Sequence, residues 1–420
     1  MKYILLTVLS FFLVLNINAQ STPYCIQGKF SNIEYYNAFA IYHNQDVVYG
    51  FNLNHLGQID TLKMDIAYPH FLIDPLPKRP LVVLVHGGEF KSGHRYDMQG
   101  YAESLAKKGF VTATIDYRLG WDNGTGNCDG DSVDYRFASY RALQDVKASI
   151  RFLVANHTTY KIDTNYIFLV GKDAGATTVL NTAFLSQAEA DAIYPGVSGD
   201  LGKIDSATNT NFVPFTIKGI FSWNGGMLDT NAIQSNEKTP VLSIHGMLDD
   251  VMPIENGFYA NCSKYPIVYG PKSIYQRMKS LGICVEGNYD ASGNHVSNPS
   301  LEDVYYIPEK LVCFFKKILC GNCKTQEVIG YNSFACSDEF PVFVQENNLE
   351  EISIFPNPAS NFLDVRCQQS DVRKELYNSL GQLVFSTTKS KIDVQHLSKG
   401  IYMLKLDIGD KSLFKKVVIE

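Results

Sequence analysis

The sequence predicts an α/β domain built on a mostly parallel sheet with helices on both faces, followed by a small C-terminal all-β sandwich. Short apolar runs such as LVVLV (81–85) and YIFLV (166–170) alternate with helix-like stretches such as 140–156. Nearly unbroken apolar strands separated by helices are typical of a parallel sheet that is buried on both faces. Beyond residue 350, short alternating segments punctuated by turns replace this pattern and indicate the sandwich.

The first residues predict export. Lys2 precedes an apolar run that ends near Leu15, and small and polar residues follow as far as Ala19. This order is typical of a secretory signal peptide, so we assign residues 1–19 to one, with cleavage after Ala19. No second apolar run approaches the length that spans a membrane. A formal net charge of −6 argues against nucleic acid as a partner.

Cysteine usage fits an oxidising compartment. The chain has nine cysteines, and export permits disulfides. Cys367 lies in the C-terminal segment, which leaves eight in the rest of the chain. We expect structural disulfides among these eight, with a pairing that the sequence leaves open. Cys320 and Cys323 form a CxxC pair for which redox and metal-binding roles are alternatives, although no second such pair completes a zinc site.

The remaining segments complete a domain plan. Residues 20–325 form the α/β domain, 326–349 an irregular linker and 350–420 the sandwich. Within the first domain, alternating segments rich in Tyr and Val at 33–75 predict an antiparallel edge of the sheet. The polar stretch 181–216 is where we expect an insertion that covers the active-site face.

A nucleophile frame occupies residues 171–175. The strand-like YIFLV ends at Gly171, and Lys172-Asp173-Ala174-Gly175 leads into small residues suited to a helix. This is the strand–turn–helix frame G-x-S-x-G, which presents a serine nucleophile on a strained turn. Here Asp173 stands in the serine position.

Three further motifs lie where such a frame needs them. His86-Gly87-Gly88 follows the strand LVVLV, and glycines there let backbone N–H groups turn toward a developing oxyanion. Asp249 follows the strand-like PVLSIH, where a carboxylate can orient a histidine, and His295 lies on a loop after ICVEGNY. The chain order Asp173, Asp249, His295 is the nucleophile–acid–histidine order of α/β-hydrolases.

Together these motifs resemble the carboxylesterase branch of the α/β-hydrolase fold across residues 45–319. The segments that carry the resemblance are VVYGFNLNHLGQIDTLKMDIAYP, HGGEF, TIDYRLGW, RALQDVKASIRFL and DTNYIFLVGKDAGA. The resemblance implies a secreted esterase that acts on short acyl esters, such as acyl groups on polysaccharides. It also implies Asp249 as the acid, His295 as the base, and an oxyanion hole formed by the backbone of Gly87, Gly88, Glu89 and Ala174. It does not supply the nucleophile.

The C-terminal segment resembles the sorting domain of the type IX secretion system. Four motifs carry this resemblance in order, namely FPNP (355–358), LGQ (380–382), KGIY (399–402) and KKVV (415–418). The resemblance implies export across the outer membrane of a Gram-negative bacterium by the type IX machinery. Release from the cell or attachment to its surface would follow.

An aspartate in the nucleophile position leaves three alternatives for the activity. The favoured one is hydrolysis of carboxylic esters with an activated water, because a carboxylate that attacks an ester carbonyl is expelled again faster than an alkoxide. The second is a catalytically inactive esterase frame that binds a ligand or glycan. The third is attack of Asp173 on saturated carbon, which carboxylate nucleophiles perform in other hydrolases.

Neither a cofactor nor a metal is expected to take part in the chemistry. A divalent cation held by Asp173, Asp249 and His295 is a minor alternative. Calcium in the loop 122–134, which is dense in Asp, Asn and Gly, is another, although that loop lacks EF-hand spacing. The expected partners are a small-molecule or saccharide ester and the type IX machinery.

Overall fold

The computed structural model describes residues 22–122, 124, 128–296, 306–330, 336, 353–366, 372–378, 382–408 and 411–420. The predicted signal peptide, Cys367 and most of the predicted linker lie outside these residues. The chain divides into two compact units, Met1–Phe340 and Pro341–Glu420. Within the part of the chain that is described, no helix is long and apolar enough to cross a membrane.

The first unit is organised around one large sheet. Its described strands are β1 (Ile41–Leu53), β2 (Ile59–Pro69), β3 (Arg79–Val85), β4 (Val111–Ile115), β5 (Ile162–Lys172), β6 (Ile217–Trp223), β7 (Val241–Gly246), β8 (Asn256–Phe258), β9 (Ile267–Tyr269), β10 (Val285–Asp290) and β11 (Gln326–Ile329). Nine of them form a sheet in the order β1-β2-β4-β3-β5-β6-β7-β10-β11. β1 and β2 form the antiparallel edge that the sequence predicts. β2 also pairs antiparallel with β4, and from β4 to β11 neighbouring strands are parallel.

Helices cover both faces of this sheet, as predicted. They are α1 (Gln99–Lys107), α2 (Ser132–Ala155), α3 (His157–Tyr160), α4 (Ala174–Phe184), α5 (Gln187–Ile193), α6 (Val197–Leu201), α7 (Pro271–Ser280) and α8 (Tyr306–Leu319). On one face, Val83 of β3 belongs to the same apolar core as residues of α2, α4 and α7. On the other face, Val82 and Leu84 share a second core with residues of α1 and α8. Because neighbouring residues of β3 enter opposite cores, the strand is an unbroken apolar run.

The second unit consists of two small antiparallel sheets. Its described strands are β12 (Ser353–Phe355), β13 (Phe362–Arg366), β14 (Arg373–Tyr377), β15 (Leu383–Thr387), β16 (Lys391–Asp393), β17 (Gly400–Ile408) and β18 (Lys411–Ile419). They pair in the orders β12-β13-β16 and β15-β14-β17-β18. Leu363 of the first sheet and Leu376 and Leu404 of the second lie in one buried core. This arrangement confirms the predicted all-β sandwich.

The α/β unit continues past the boundary expected at residue 325. Gln326–Ile329 forms β11, which pairs in parallel with β10. Further along, Cys336 forms a disulfide with Cys313 of α8. The segment predicted to be a linker therefore begins with a strand of the sheet. Four residues are too few for a periodic pattern to distinguish a strand from irregular chain.

The segment 181–216 makes hydrogen bonds to α2 and β1, and its covering of the active-site face stays a prediction. The side-chain amide of Gln144 in α2 donates to the carbonyl oxygens of Leu201 and Gly202. The hydroxyl of Thr208 donates to Asp145 of α2, and Asn209 donates to the backbone of β1. The polar character of this segment has a structural reason, since it satisfies buried polar groups of α2.

Four disulfides join distant parts of the first unit. The pairs are Cys25–Cys320, Cys128–Cys262, Cys284–Cys323 and Cys313–Cys336. They confirm the expected structural role of the cysteines. Cys320 and Cys323 of the CxxC pair each bond to a different partner, so neither retains a thiol for redox chemistry or metal binding.

Candidate active site

The predicted catalytic residues lie beyond the carboxyl ends of four parallel strands. The HGG turn follows β3, Asp173 follows β5, Asp249 follows β7, and His295 follows β10. Since the carboxyl ends of parallel strands meet at one edge of a sheet, these distant segments converge there.

The turn at Asp173 is sharp and strained. Asp173 has a φ of 51°, in the left-handed region that residues other than glycine rarely adopt. A Cβ atom on Gly171 would lie 2.3 Å from the carbonyl oxygen of Gly175, and one on Gly175 would lie 2.3 Å from that of Val85. Close approach of the backbone therefore requires both glycines of the frame, and α4 begins directly after the turn.

The HGG turn also has an unusual backbone. Gly88, Glu89 and Phe90 have φ values of 106°, 53° and 61°. A Cβ atom on Gly88 would lie 2.2 Å from the carbonyl oxygen of Ser92, so this position requires glycine. The conformation aims two successive N–H groups, those of Gly88 and Glu89, at Asp173.

The carboxylate of Asp173 is divided between the HGG turn and His295. Its Oδ2 atom accepts hydrogen bonds of 2.7 Å from Gly88 N–H and 3.0 Å from Glu89 N–H. Its Oδ1 atom lies 3.1 Å from Nε2 of His295. Within the described residues, neither Gly87 nor Ala174, which were also expected to form the oxyanion hole, donates a backbone hydrogen bond to this carboxylate. Oδ2 therefore lies where an esterase would bind the oxyanion of its substrate.

His295 connects two carboxylates. Its Nδ1 atom lies 2.8 Å from Oδ2 of Asp249, on the side of the ring opposite Asp173. Asp249 is buried, and its Oδ1 atom accepts hydrogen bonds from the N–H groups of Val251 and Met252. The two carboxylates bind different ring nitrogens, so the three side chains do not converge on one point as ligands of a shared cation would.

The charges of Asp173 and Asp249 favour the imidazolium form of His295. Burial lowers the pKa of His295, but the hydrogen bonds and charges of Asp173 and Asp249 outweigh burial and raise the pKa to about 10. Burial raises the pKa of Asp173, but His295 and the N–H groups of Gly88 and Glu89 hold it below its ordinary value. The pKa of Asp249 is also low, because its hydrogen bonds to His245 and His295 outweigh burial. At neutral pH, His295 thus carries a proton on both nitrogens.

Two supporting residues were missed by sequence reasoning. His245 is buried at the end of β7, and its Nε2 atom lies 3.2 Å from Asp249 and 2.8 Å from the carbonyl oxygen of Met252. Asn224 donates a hydrogen bond of 2.8 Å to the carbonyl oxygen of His295. Both follow from tertiary contact, although the position of His245 four residues before Asp249 was a signal in the sequence.

An aromatic cluster adjoins the HGG turn and was also missed. Trp121 Nε1 donates a hydrogen bond of 2.8 Å to the carbonyl oxygen of Glu89. The cluster is formed by the packed rings of Phe90, Trp121, Tyr135, Tyr259 and Tyr265. The disulfide Cys128–Cys262 joins the segment after Trp121 to the segment that carries Tyr259 and Tyr265. The cluster therefore contacts the HGG turn through Trp121 and Phe90.

Two protein families match the chain. Residues 64–240 match the BD-FAE family, and residues 353–420 match the secretion system C-terminal sorting domain, Por_Secre_tail. The first match includes the HGG turn and Asp173 but ends before Asp249 and His295. The second spans the described strands of the second unit, from β12 to β18.

Individual proteins are similar to parts of this chain. The neuroligin-like protein glit-1 of Caenorhabditis elegans is 30% identical over 120 residues, which are 29% of this chain and 15% of that protein. A probable isoprenylcysteine alpha-carbonyl methylesterase of Oryza sativa subsp. japonica, ICMEL1, is 29% identical over 189 residues, which are 42% of this chain and 39% of that protein. The chain therefore spans well under half of these two relatives.

A solved structure is also similar to this chain. Esterase 2 of Thermogutta terrifontis, phosphorylated by paraoxon, has a TM-score of 0.45 at 15% sequence identity. The superposed region covers 69% of this chain and 98% of the esterase chain.

Proposed function

The chain carries an esterase-like α/β-hydrolase domain that matches the BD-FAE family, followed by a type IX secretion sorting domain, and on this premise we propose that it binds a ligand at Asp173 without hydrolysing acyl esters. The observation that carries the proposal is the position of the Asp173 carboxylate. Oδ2 of Asp173 accepts hydrogen bonds from the N–H groups of Gly88 and Glu89. An ester carbonyl would need the same two donors to stabilise its oxyanion.

Competition for the oxyanion hole favours the aspartate. Hydrogen bonds to a charged acceptor are about twice as strong as those to a neutral one. A neutral ester carbonyl would have to displace Oδ2 from two N–H donors and leave that charge without them. Stabilisation of the oxyanion is usually the largest single term in acyl transfer, so its loss lowers the rate strongly.

The protonation state of His295 opposes base catalysis as well. A general base needs a free lone pair at the working pH. Since the pKa of His295 is raised to about 10, only a small fraction of the ring is neutral near pH 7. Water activation by His295, which the sequence analysis favoured, therefore has little support from the geometry.

Direct attack by Asp173 on an ester carbonyl is no easier. The attack would give a tetrahedral intermediate that expels either a carboxylate or an alkoxide. The carboxylate leaves far more readily, because its conjugate acid has a pKa near 4. The reaction runs backward, and no acyl-enzyme accumulates.

The C-terminal domain indicates where the protein acts. A C-terminal sorting domain indicates a secreted or cell-surface protein. We propose that the chain is a type IX substrate of a Gram-negative bacterium, with its signal peptide cleaved after Ala19. The ligand that we propose is an acyl ester or an acylated saccharide, because the scaffold is esterase-like.

The test is turnover of p-nitrophenyl acetate by the full chain and by Asp173→Ser. We expect the wild type to be no faster than His295→Ala. Asp173→Ser frees the oxyanion hole and restores a nucleophile, so we expect it to be faster than the wild type by about 10³-fold or more.

The double variant Asp173→Ser/His295→Ala is the matched control and should lose this gain. Wild-type turnover that His295→Ala abolishes would contradict the proposal. So would an inactive but folded Asp173→Ser, since the remainder of the esterase frame would then not be intact.

A further inference from the structure

A cavity of about 650 Å³ lies at the amino ends of strands in the first unit. Its lining includes Ile217, the first residue of β6, and Thr239, which precedes β7. Asp173 and Asp249 instead follow the carboxyl ends of β5 and β7. The cavity and the Asp173 site therefore lie at opposite edges of the sheet. Its volume fits a small organic ligand.

Arg151 of α2 lines this cavity and is a buried cation. The residue is 2% exposed. Its Nη2 atom donates a hydrogen bond of 2.7 Å to the carbonyl oxygen of Ala207. Among the described residues, its Nε and Nη1 atoms have no hydrogen-bond partner. Arginine is rarely buried without a partner of opposite charge, so these two nitrogen atoms are placed to bind an anion.

Lys147, which also lines the cavity, already has an anionic partner. It lies one turn before Arg151 in α2, and its Nζ atom is 3.0 Å from Oδ1 of Asp205. The charge of Asp205 also acts on Arg151, but burial outweighs it and holds the pKa of Arg151 below its ordinary value. Arg151 itself forms no ion pair with a described residue. An anionic group of a ligand therefore has this guanidinium as its partner.

The same lining combines two further carboxylates with apolar rings. Glu189 and Glu237 both line the cavity, and burial together with the charge of Glu189 raises the pKa of Glu237. In the part of the chain that is described, neither carboxylate forms an ion pair, so a positive group of a ligand would offset their repulsion. The rings of Phe212 and Phe215 line the same space. They offer apolar surface to an uncharged part of the ligand.

We propose that this cavity binds a free α-amino acid with an aromatic or large aliphatic side chain. Arg151 binds the carboxylate of the amino acid, and Glu189 and Glu237 bind its ammonium group. The side chain contacts Phe212 and Phe215. A ligand with one charge alone would meet a like charge in the lining, whereas a zwitterion satisfies both. This inference goes beyond the proposed function, since it adds a second class of ligand at a separate site.

The experiment is equilibrium dialysis of the full chain with radiolabelled L-phenylalanine. Two competitors each lack one charge, since 3-phenylpropionate has no ammonium group and phenethylamine has no carboxylate. We expect L-phenylalanine to bind, and each competitor to bind at least about 30-fold more weakly, because each leaves one charged partner in the cavity unpaired. The inference is overturned if the folded chain does not bind L-phenylalanine, or if either competitor binds equally well.

Charge variants test the role of each partner. We expect Arg151→Met to weaken binding of L-phenylalanine at least about 30-fold. Glu237→Gln should weaken L-phenylalanine but strengthen 3-phenylpropionate, because it removes a charge that repels this carboxylate; a loss of packing would weaken both. Lys238→Met is the matched control, since Lys238 is exposed and lies beside Glu237 in the chain. Equal losses in Lys238→Met and Arg151→Met, or no loss in a folded Arg151→Met, would overturn the assignment.

This experiment is independent of the proposed function. Asp173→Ser should bind L-phenylalanine as tightly as the wild type does, because the two sites lie at opposite edges of the sheet. If Asp173→Ser loses this binding, the amino acid occupies the Asp173 site and the inference fails. If the wild type hydrolyses p-nitrophenyl acetate through His295, the proposed function fails whatever the dialysis shows.

Discussion

Oδ2 of Asp173 accepts a 2.7 Å hydrogen bond from the backbone N–H of Gly88, although the two residues are 85 positions apart in the chain. This contact, with the one from Glu89, links the nucleophile position to the turn that is predicted to form the oxyanion hole. Since His295 contacts the other oxygen of the carboxylate, each group in this cluster has an oppositely charged or hydrogen-bonding partner. The predictions below follow from removing one of these hydrogen bonds or charges.

Activity of Asp173→Ser should depend on one ionisation of His295. Removal of one carboxylate neighbour should lower the pKa of His295 from about 10 toward its ordinary value of 6.5. We therefore expect kcat/KM for p-nitrophenyl acetate to rise with pH through a single ionisation between these values. A pH–rate profile measures it, and a flat profile would contradict a base role for His295. Asp249→Asn in the same background should move the ionisation lower still.

The stability of the wild type should decline toward alkaline pH. The folded pKa of His295 is raised, so its contribution is fully present below about pH 6.5 and is lost as the pH rises through about 10. The folded pKa values of Asp173 and Asp249 are lowered, so their contributions are present above about 3.8 and fall in acid. In urea unfolding, the contribution of these three side chains to the free energy of unfolding should thus be greatest between about pH 4 and 6.5. In His295→Gln the alkaline decline should be weaker, and an unchanged decline would exclude His295 as its source.

Gly88→Ala should disturb the HGG turn. The φ of 106° is unfavourable for alanine, and the new Cβ atom would lie 2.2 Å from a backbone oxygen. We expect a loss of about 1–3 kcal/mol in the free energy of unfolding, and a loss of about 100-fold in the esterase activity of Asp173→Ser. Gly100→Ala in α1 is the matched control, since its Cβ atom would meet nothing within 4 Å. Equal effects of both substitutions would contradict a role for the turn.

The disulfide Cys128–Cys262 should matter for activity as well as stability. It closes a sequence separation of 134 residues, for which loop closure predicts about 4–5 kcal/mol of stabilisation. Because the bond joins segments that carry Trp121 and Tyr259 of the aromatic cluster, we expect Cys128→Ser/Cys262→Ser to lower both the melting temperature and kcat of Asp173→Ser. Removal of Cys284–Cys323, which lies at the start of β10, should lower only the melting temperature. A loss of kcat in both cases would mean a general effect of unfolding.

Much of the fold and part of the site could be predicted from the sequence. The strands are apolar runs because both faces of the sheet are buried, and the chemical residues follow these runs directly, as Asp173 follows β5. Strand ends of a parallel sheet share one edge, and the grouping of Asp173, Asp249 and His295 was predicted because their chain order is that of α/β-hydrolases. The role of the glycines at 88, 171 and 175 could also be predicted from the sequence, since only glycine fits where backbones approach closely.

The sequence could not predict which side chains form disulfides or hydrogen bonds with each other, because these contacts join residues that no local pattern relates. Eight cysteines allow 105 pairings, and only the folded chain selects Cys25–Cys320 or Cys128–Cys262. β11 is too short to show a period, and the polar segment at 181–216 has partners in α2 that its own composition does not reveal. His245 and Asn224 acquire their roles only through contacts with Asp249 and His295.

The sequence by itself determined that an aspartate stands in a nucleophile frame, because that frame is a local turn set by glycines and a strand end. Only the tertiary structure decided which atoms this carboxylate meets. One oxygen faces the N–H groups of a turn that follows β3, and the other faces a histidine beyond β10. The distinction is physical: backbone conformation depends on near neighbours in the chain, whereas charge and hydrogen bonding in the site depend on groups that folding brings together.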